Sequence, residues 1–293
     1  MTDFAELVEH FRVHLMNINK SSHTIKQYTI DCQQFVKYTE QQTYDLFQTP
    51  VETVTAYRAH LMATFNAKTS VNRKIASLRS FLQFLQLRGH HVSIPETLLL
   101  PVKTDKSQLQ LLTEQQLKEA LQVWNRIYEH AQEEEIRWIA LRNSAIVQTV
   151  SQLGLKPAEV VRMKWKHIEH TQIRIKSSRS HRLLPLPSML KDLLHQYKKE
   201  TMAFLPAAEF TDFMWLGVGN KQGEPISVKT IERVFKYISE QLGVKVTCTN
   251  VRYTLIDREN VAESDEDFEL YKRLGYARKG VLKERQDRMH GRS

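Results

Sequence analysis

The chain lacks several features that would settle its class at once. No apolar run reaches the roughly 20 residues that a membrane-spanning helix needs, which excludes a helical membrane protein. Cysteine is nearly absent: Cys32 and Cys248 are the two in 293 residues, and they fall in separate halves. That excludes a disulfide-stapled scaffold, and both thiols are expected to be reduced and packed in cores. The first residues, Met1-Thr2-Asp3-Phe4-Ala5-Glu6, offer neither a basic start nor an apolar block. No secretory signal is expected, and the expected compartment is the cytoplasm. Internal repeats and low-complexity tracts are missing too. His10 and His14 stand four residues apart, but no acidic partner completes a metalloprotease pattern. His167 and His170 have no further ligands nearby, and Gly217, Gly219 and Gly223 lack the lysine and hydroxyl residue of a phosphate-binding loop. No metal or other cofactor is expected.

What is present is length for two domains, 41% apolar residues and a net charge of +9. The excess is spread along the chain, with eleven basic against eight acidic residues up to Lys103 and 31 against 25 beyond it. Neither part is an acidic appendage, and a basic balance of this kind suits a protein that meets phosphate backbones.

The first ninety residues read as four helices. Phe4, Leu7, Val8, Phe11 and Leu15 form one stripe at helical spacing. Ser21 and Ser22 offer a cap for a second helix carrying Ile25, Tyr28, Cys32, Phe35 and Val36. Pro50 is placed to open a third, and a fourth runs from about Ser70 to Arg88, with Gly89 to end it. Residues 91–112, with Pro95, Pro101 and a polar stretch from Lys103 to Gln110, read as a linker. Thr113 then caps a new helix. The remainder mixes helices with a hairpin in which Ile173-Arg174-Ile175 and Leu183-Leu184-Pro185-Leu186 flank a polar turn. Met214 to Leu216 is expected to add a strand. Further helices are expected near Ser227–Leu242, Val251–Ala262, Asp265–Arg273 and Lys279–Met289.

Two boxes then stand out in order. Gly154-Leu155-Lys156-Pro157-Ala158-Glu159, with Trp165 beyond it, is followed by the hairpin and by Thr249-Asn250-Val251-Arg252-Tyr253-Thr254. With the upstream stretch Ser70-Val71-Asn72-Arg73-Lys74-Ile75-Ala76-Ser77-Leu78-Arg79, they resemble the frame of the tyrosine recombinase (phage integrase) family. The resemblance covers nearly the whole chain. It implies a mainly α fold with a small β-sheet: an all-α core-binding (SAM-like) domain over residues 1–90, a linker over 91–112, and an α+β recombinase catalytic-type domain over 113–293.

Several positions depart from the family's pattern. Lys156 stands where the family places an arginine, and it gives up the bidentate grip of a guanidinium on phosphate. The catalytic lysine of the hairpin falls at Ser177, with Lys176 beside it. Thr249 replaces a histidine, Arg252 remains, and Tyr276 replaces a later histidine or tryptophan. The family's tyrosine nucleophile would fall near Arg285, and residues 277–293 contain no tyrosine. Lys156, Lys176, Thr249, Arg252 and Tyr276 are therefore expected to be remnants of a catalytic set, and the chain is expected not to be an enzyme.

DNA holding is a separate expectation. Arg73, Lys74 and Arg79 lie on the fourth helix; Arg174, Lys176, Arg179 and Arg182 cluster around the hairpin; Lys229, Arg233 and Lys236 recur at helical spacing on the Ser227 helix. One such cluster is more often a solvated face than a nucleic-acid contact. Three of them at the positions of a clamp-shaped recombinase, together with Lys156 and Arg252, point to double-stranded DNA as the partner. The resemblance further implies a homo-oligomer on DNA through the C-terminal helix, in the cytoplasm or nucleoid of a bacterial cell. The expected role is that of a sequence-specific regulator, similar to the recombinase-fold repressors of SPbeta-like phages. An active recombinase with a non-standard nucleophile, or an accessory factor in recombination, is the alternative.

Overall fold

The computed structural model describes residues 4–104, 109–177, 181–262, 272–276 and 279–291. The chain divides into two compact units, Met1–Asp105 and Lys106–Ser293.

The first unit is a four-helix bundle of α1 (Phe4–Asn17), α2 (Ser22–Gln41), α3 (Pro50–Thr64) and α4 (Lys68–Leu87). Local signals start and stop these helices. The Ser21 hydroxyl accepts the Thr24 amide at 3.1 Å, and Pro50 opens α3, where an amide proton has no helical partner to lose. After α4 the chain turns at Gly89 with φ +83°. Leu7, Val8, Phe11 and Leu15 are all buried, and the Phe11 ring meets Phe81 edge-on at 5.3 Å between centroids.

The bundle core also holds a carboxylate. Asp31 of α2 receives the Arg73 guanidinium, the Lys74 ammonium at 3.0 Å and the Ser77 hydroxyl at 2.9 Å, all from α4. A short strap then closes the unit. Residues 91–102, expected to belong to a linker, pack on the bundle instead, with Val92 and Leu99 buried in its core. Arg58 donates to the carbonyls of Leu98 and Leu100 at 2.9 and 2.7 Å, and Asn72 bonds both the amide and the carbonyl of Val102. Side chains far away in sequence thus satisfy a backbone that has no helix of its own beyond Glu96–Leu99.

In the second unit α5 (Glu114–His130) and α6 (Glu134–Leu153) lead into a small sheet. Thr113 and Gln116 form a reciprocal capping box at the start of α5. Helix α6 is buried on nearly every side from Trp138 on, and Gly154 ends it with φ +63°. After the single turn α7 (Pro157–Val160) come β1 (Ile168–Glu169), β2 (Gln172–Lys176) and β3 (His181–Pro185), antiparallel in the order β1-β2-β3. Ile173 pairs with Leu184, and Ile175 with Arg182. The remaining helices are α8 (Ser188–Phe204), α9 (Val228–Leu242), α10 (Cys248–Ala262) and α11 (Lys279–Met289).

Met214–Leu216, expected as a strand, makes only isolated bridges, such as Leu216 with Pro225. Its side chains are buried, so the apolar run reflects a core segment without a ladder partner. The helix expected over Asp265–Arg273 lies largely outside the described residues. Leu282 and Met289 of α11 are buried in a small cluster with Tyr253, Ile256 and Leu274, and the Leu109 amide donates to the Arg288 carbonyl at 3.1 Å. Leu282 and Met289 of α11 thus face their own unit, while Val281 is exposed. Among the described residues no helix is long and apolar enough to cross a membrane.

Candidate functional site

The site is built where two left-handed glycines bring distant segments together. Gly154, at the end of α6, has φ +63°, and Gly275 has φ +69°. Their carbonyls receive the two cations of the site. Arg252 of α10 donates from Nε to the Gly154 carbonyl at 2.6 Å, and Lys156 donates from Nζ to the Gly275 carbonyl at 2.7 Å. Arg252 also donates from Nη2 to the Leu274 carbonyl at 2.8 Å and from Nη1 to the Tyr276 hydroxyl at 3.1 Å. The Tyr276 ring lies 4.8 Å from the Arg252 guanidinium carbon and 5.4 Å from Lys156 Nζ. Lys156, Arg252 and Tyr276, 120 residues apart at the extremes, thus form one cluster.

Its electrostatics follow from burial and from the absence of a matched carboxylate. Arg252 is only 5% exposed, and among the described residues its hydrogen-bond partners are two carbonyls and a hydroxyl. Burial pulls the Lys156 amine below its ordinary value; Glu159 opposes this, while the charges of Arg252 and Arg182 add to it. Burial likewise pushes the Tyr276 phenol up, against the pull of Arg252 and of Arg285 on α11. A neutral set of partners does not by itself mark an anion seat. Arg142 is as buried, bonded to the Leu216 carbonyl and the Asn143 side chain, and lies inside α6. Arg252 differs because Lys156 and the part-exposed Tyr276 carry its surroundings to the surface.

Glu159 and Arg182 brace the cluster. Glu159 is 3% exposed, accepts the Lys156 amide at 2.9 Å and is gripped by Arg182 at 2.7 and 3.1 Å. Burial raises its carboxyl, but the bonds and charge of Arg182 overcome that and hold it below its ordinary value of 4.5. Arg182 also donates to the Arg273 carbonyl at 2.6 Å. Gly275 packs on this pair: a Cβ there would lie 2.7 Å from Arg182 Nη1. Sequence reasoning missed Glu159, Gly275 and Arg285 as parts of the site. A glycine directly before Tyr276 was the available signal.

The remaining site residues divide. Lys74, expected to reach phosphates, is 4% exposed and pinned between Asp31 and Gln34, which corrects that expectation. Arg73 shares Asp31, and Arg79 donates to the Leu99 carbonyl of the strap. Arg182 serves Glu159 rather than the surface, and Arg174 is paired with Glu169 at 2.6 Å. Arg179 lies outside the described residues. Lys176 is exposed at the end of β2; after burial, its charge is the first influence that lowers the His167 imidazole. No described contact ties Lys176 to Arg252. Thr249 is exposed in the first turn of α10, three residues before Arg252. Lys229, Arg233 and Lys236 are exposed on α9, opposite its buried Ile231, Val234, Phe235 and Ile238; Lys236 also pairs with Glu240 at 3.2 Å. Among the described residues no group of side chains could hold a metal ion.

Comparison with known proteins gives this geometry its context. The family described as phage integrase, N-terminal SAM-like domain, matches residues 8–89. The chain is 25% identical over 254 residues to the tyrosine recombinase XerC of Halalkalibacterium halodurans, covering 82% of this chain and 78% of that one. It is 25% identical over 223 residues to the XerC of Staphylococcus epidermidis, covering 75% and 69%. Among solved structures it is similar to the XerH site-specific recombinase bound to difH substrate, with a TM-score of 0.70 and 13% identity, covering 99% of this chain and 83% of that one. A lambda integrase dimer bound to a COC′ core site is also similar, with a TM-score of 0.65 and 14% identity, covering 94% and 96%. The fold is that of the recombinases and integrases. Over most of its length the chain is similar to tyrosine recombinases, and its residues 8–89 match the SAM-like domain family.

The expectation that the chain is not an enzyme is overturned by these relatives, which are named recombinases and align along most of its length. That expectation rested on single positions that departed from a pattern. Lys156, Arg252 and Tyr276, counted there as scattered remnants, stand together in the fold.

Proposed function

We propose that the protein binds double-stranded DNA at specific sites and acts there in recombination, with Lys156 and Arg252 receiving a backbone phosphate. One observation carries this reading. A buried guanidinium, satisfied by carbonyls and a hydroxyl, sits beside a lysine and a tyrosine that reach the surface. A guanidinium has five N–H donors and Arg252 commits three to described partners, so two are left for an anion. Phosphoryl transfer needs cations where charge builds on the non-bridging oxygens. The exposed Lys229, Arg233 and Lys236 face of α9 and Lys176 would carry further phosphate or base contacts. The lambda integrase dimer on its core site supports assembly of more than one copy on DNA.

Binding measured across salt tests the reading. With six or more phosphates neutralised, affinity should fall by about 10³-fold or more between roughly 50 and 200 mM salt. A flat response, or no duplex bound at low salt, overturns it. A regulatory use of the same grip is the second reading, favoured by the exposed Thr249 and by Lys156 in place of the family's histidine and arginine. Genome-wide mapping of bound sites separates the two: promoters favour regulation, and ends of mobile elements favour recombination.

A further inference from the structure

We propose that a cavity between the entry to α5 and the start of α10 binds an unbranched aliphatic carboxylate. The cavity holds about 730 Å³, within the range of roughly 300–1,000 Å³ typical of small-molecule sites, and it lies wholly within the second unit. Its walls are tied down by hydrogen bonds. The Leu109 amide donates to the Arg288 carbonyl at 3.1 Å, and the Leu112 amide donates to the Thr254 hydroxyl at 3.0 Å. Asn250 donates to the Lys245 carbonyl at 2.7 Å and accepts from the Thr247 amide at 2.7 Å, which fixes the loop before α10. A site held in this way needs little ordering when a ligand enters.

The lining selects the ligand. Leu109, Leu111, Leu112, Val244 and Met289 give the cavity an aliphatic body, and among the described residues that line it none is aromatic. Flexible aliphatic side chains mould to an alkyl chain and offer no ring on which a planar ligand could stack. None of the described lining residues is acidic either. The two amides set into the wall, Gln116 and Asn250, have committed their oxygens and kept donors. Gln116 Oε1 accepts the Thr113 amide at 2.9 Å, and its Nε2 has no described partner. Asn250 Oδ1 accepts the Thr247 amide and hydroxyl, while Nδ2 gives one of its two protons to the Lys245 carbonyl. Lys245 is exposed and brings a positive charge with no described acidic partner. An apolar body, free donors and a cation match an alkyl chain that ends in a carboxylate, whose oxygens only accept.

The probe is sodium decanoate, titrated into the full chain by calorimetry below the concentration at which it forms micelles. Saturable binding at one site is expected. Octanoate, shorter by two methylenes, should bind about tenfold more weakly. Lys245→Met should weaken decanoate by about tenfold through loss of the charge-assisted bond. The same variant should keep the thermal midpoint of the free chain, because Lys245 is exposed. Decyltrimethylammonium, with the same chain and the opposite charge, should fail to displace decanoate. Decanoate carrying a photoreactive diazirine at its far end should label the tryptic peptides Ser107–Lys118, Tyr237–Lys245 or Met289–Arg292, which hold the aliphatic lining. No saturable binding overturns the proposal. So do octanoate or the cationic analogue binding as tightly as decanoate, an unchanged affinity in Lys245→Met, or label confined to other peptides.

Discussion

The two units each bury cationic side chains, and they treat them in opposite ways. In the helical unit, Asp31 matches the buried Lys74 ammonium and also holds Ser77 and the part-exposed Arg73 in one knot. In the second unit, Arg252 is as deeply buried, yet its described partners are carbonyls and a hydroxyl. Burying a charge is costly unless it is paired and fully bonded, so the first arrangement ties α2 to α4, matches the buried Lys74 with Asp31 and leaves the surplus charge on Arg73 in reach of water. The second keeps a positive charge that an incoming anion can complete. Within the second unit, Glu159 and Arg182 repeat the neutral pairing one layer away, where they hold Lys156 and Gly275 in place. Pairing marks the residues that hold the fold, and its absence beside a surface-reaching cluster marks the site.

Removing the carboxylate from the knot should have the largest effect. Asp31→Ala leaves the Lys74 ammonium buried with Gln34 and the Phe65 ring beside it but no matching charge, and losing one partner of a buried pair costs about 3–5 kcal/mol. Urea unfolding of the full chain should show that loss. A change below about 1 kcal/mol would mean that the knot is solvated and that the contrast with Arg252 does not hold.

A second test sets one glycine of each unit against the other. Gly275 has φ +69°, and a Cβ would meet Arg182 at 2.7 and 2.9 Å and Glu159 at 3.1 Å. Gly89 has φ +83° with nothing within 4 Å. Gly275→Ala should therefore cost about 1–3 kcal/mol and displace Tyr276, whereas Gly89→Ala should cost about 1–2 kcal/mol from backbone strain alone. Equal costs in urea unfolding, with unchanged DNA affinity, would show that the Glu159–Arg182 pair yields easily.

The outcome of the sequence reading follows the range of the forces involved. Pro50, the Thr113 capping box and the buried stripe of α1 are decided within a turn or two of helix, and they stand where the local pattern places them. Lys74 misled because it sits off the apolar stripe of α4, while its partner is 43 residues away on another helix. Asp31 was the clue: an acid next to Cys32 and four residues before Phe35 falls on a buried face and needs a cation. The site was legible as an order of boxes but not as a cluster. What joins Lys156 to Tyr276 is a carbonyl at a left-handed glycine, a feature of backbone conformation that residue types alone do not encode.

The Glu159–Arg182 pair gives the second unit a pH dependence with a definite sign. Glu159 is held below its ordinary 4.5, so its contribution to stability is complete above that value and is lost as pH falls through the lower folded value. Glu159→Gln should be less stable than the wild type at pH 7 and should lose less on acidification. Parallel stability curves for the two proteins below pH 4.5 would show that Arg182 does not discriminate between the charged and neutral side chains.

The smallest expected effect bears most directly on why the two units differ. Lys74→Met and Arg252→Gln each remove one positive charge from a buried position, 4% and 5% exposed, so net charge and surface area change almost equally. A charge already neutralised by Asp31 releases no counterion when DNA binds, whereas one that seats a phosphate does. The slope of log affinity against log salt should therefore be unchanged in Lys74→Met and shallower by about 1 in Arg252→Gln. Equal slopes in both variants would place Arg252 among the residues that hold the fold, and the phosphate seat would have to be sought on the exposed α9 face of Lys229, Arg233 and Lys236.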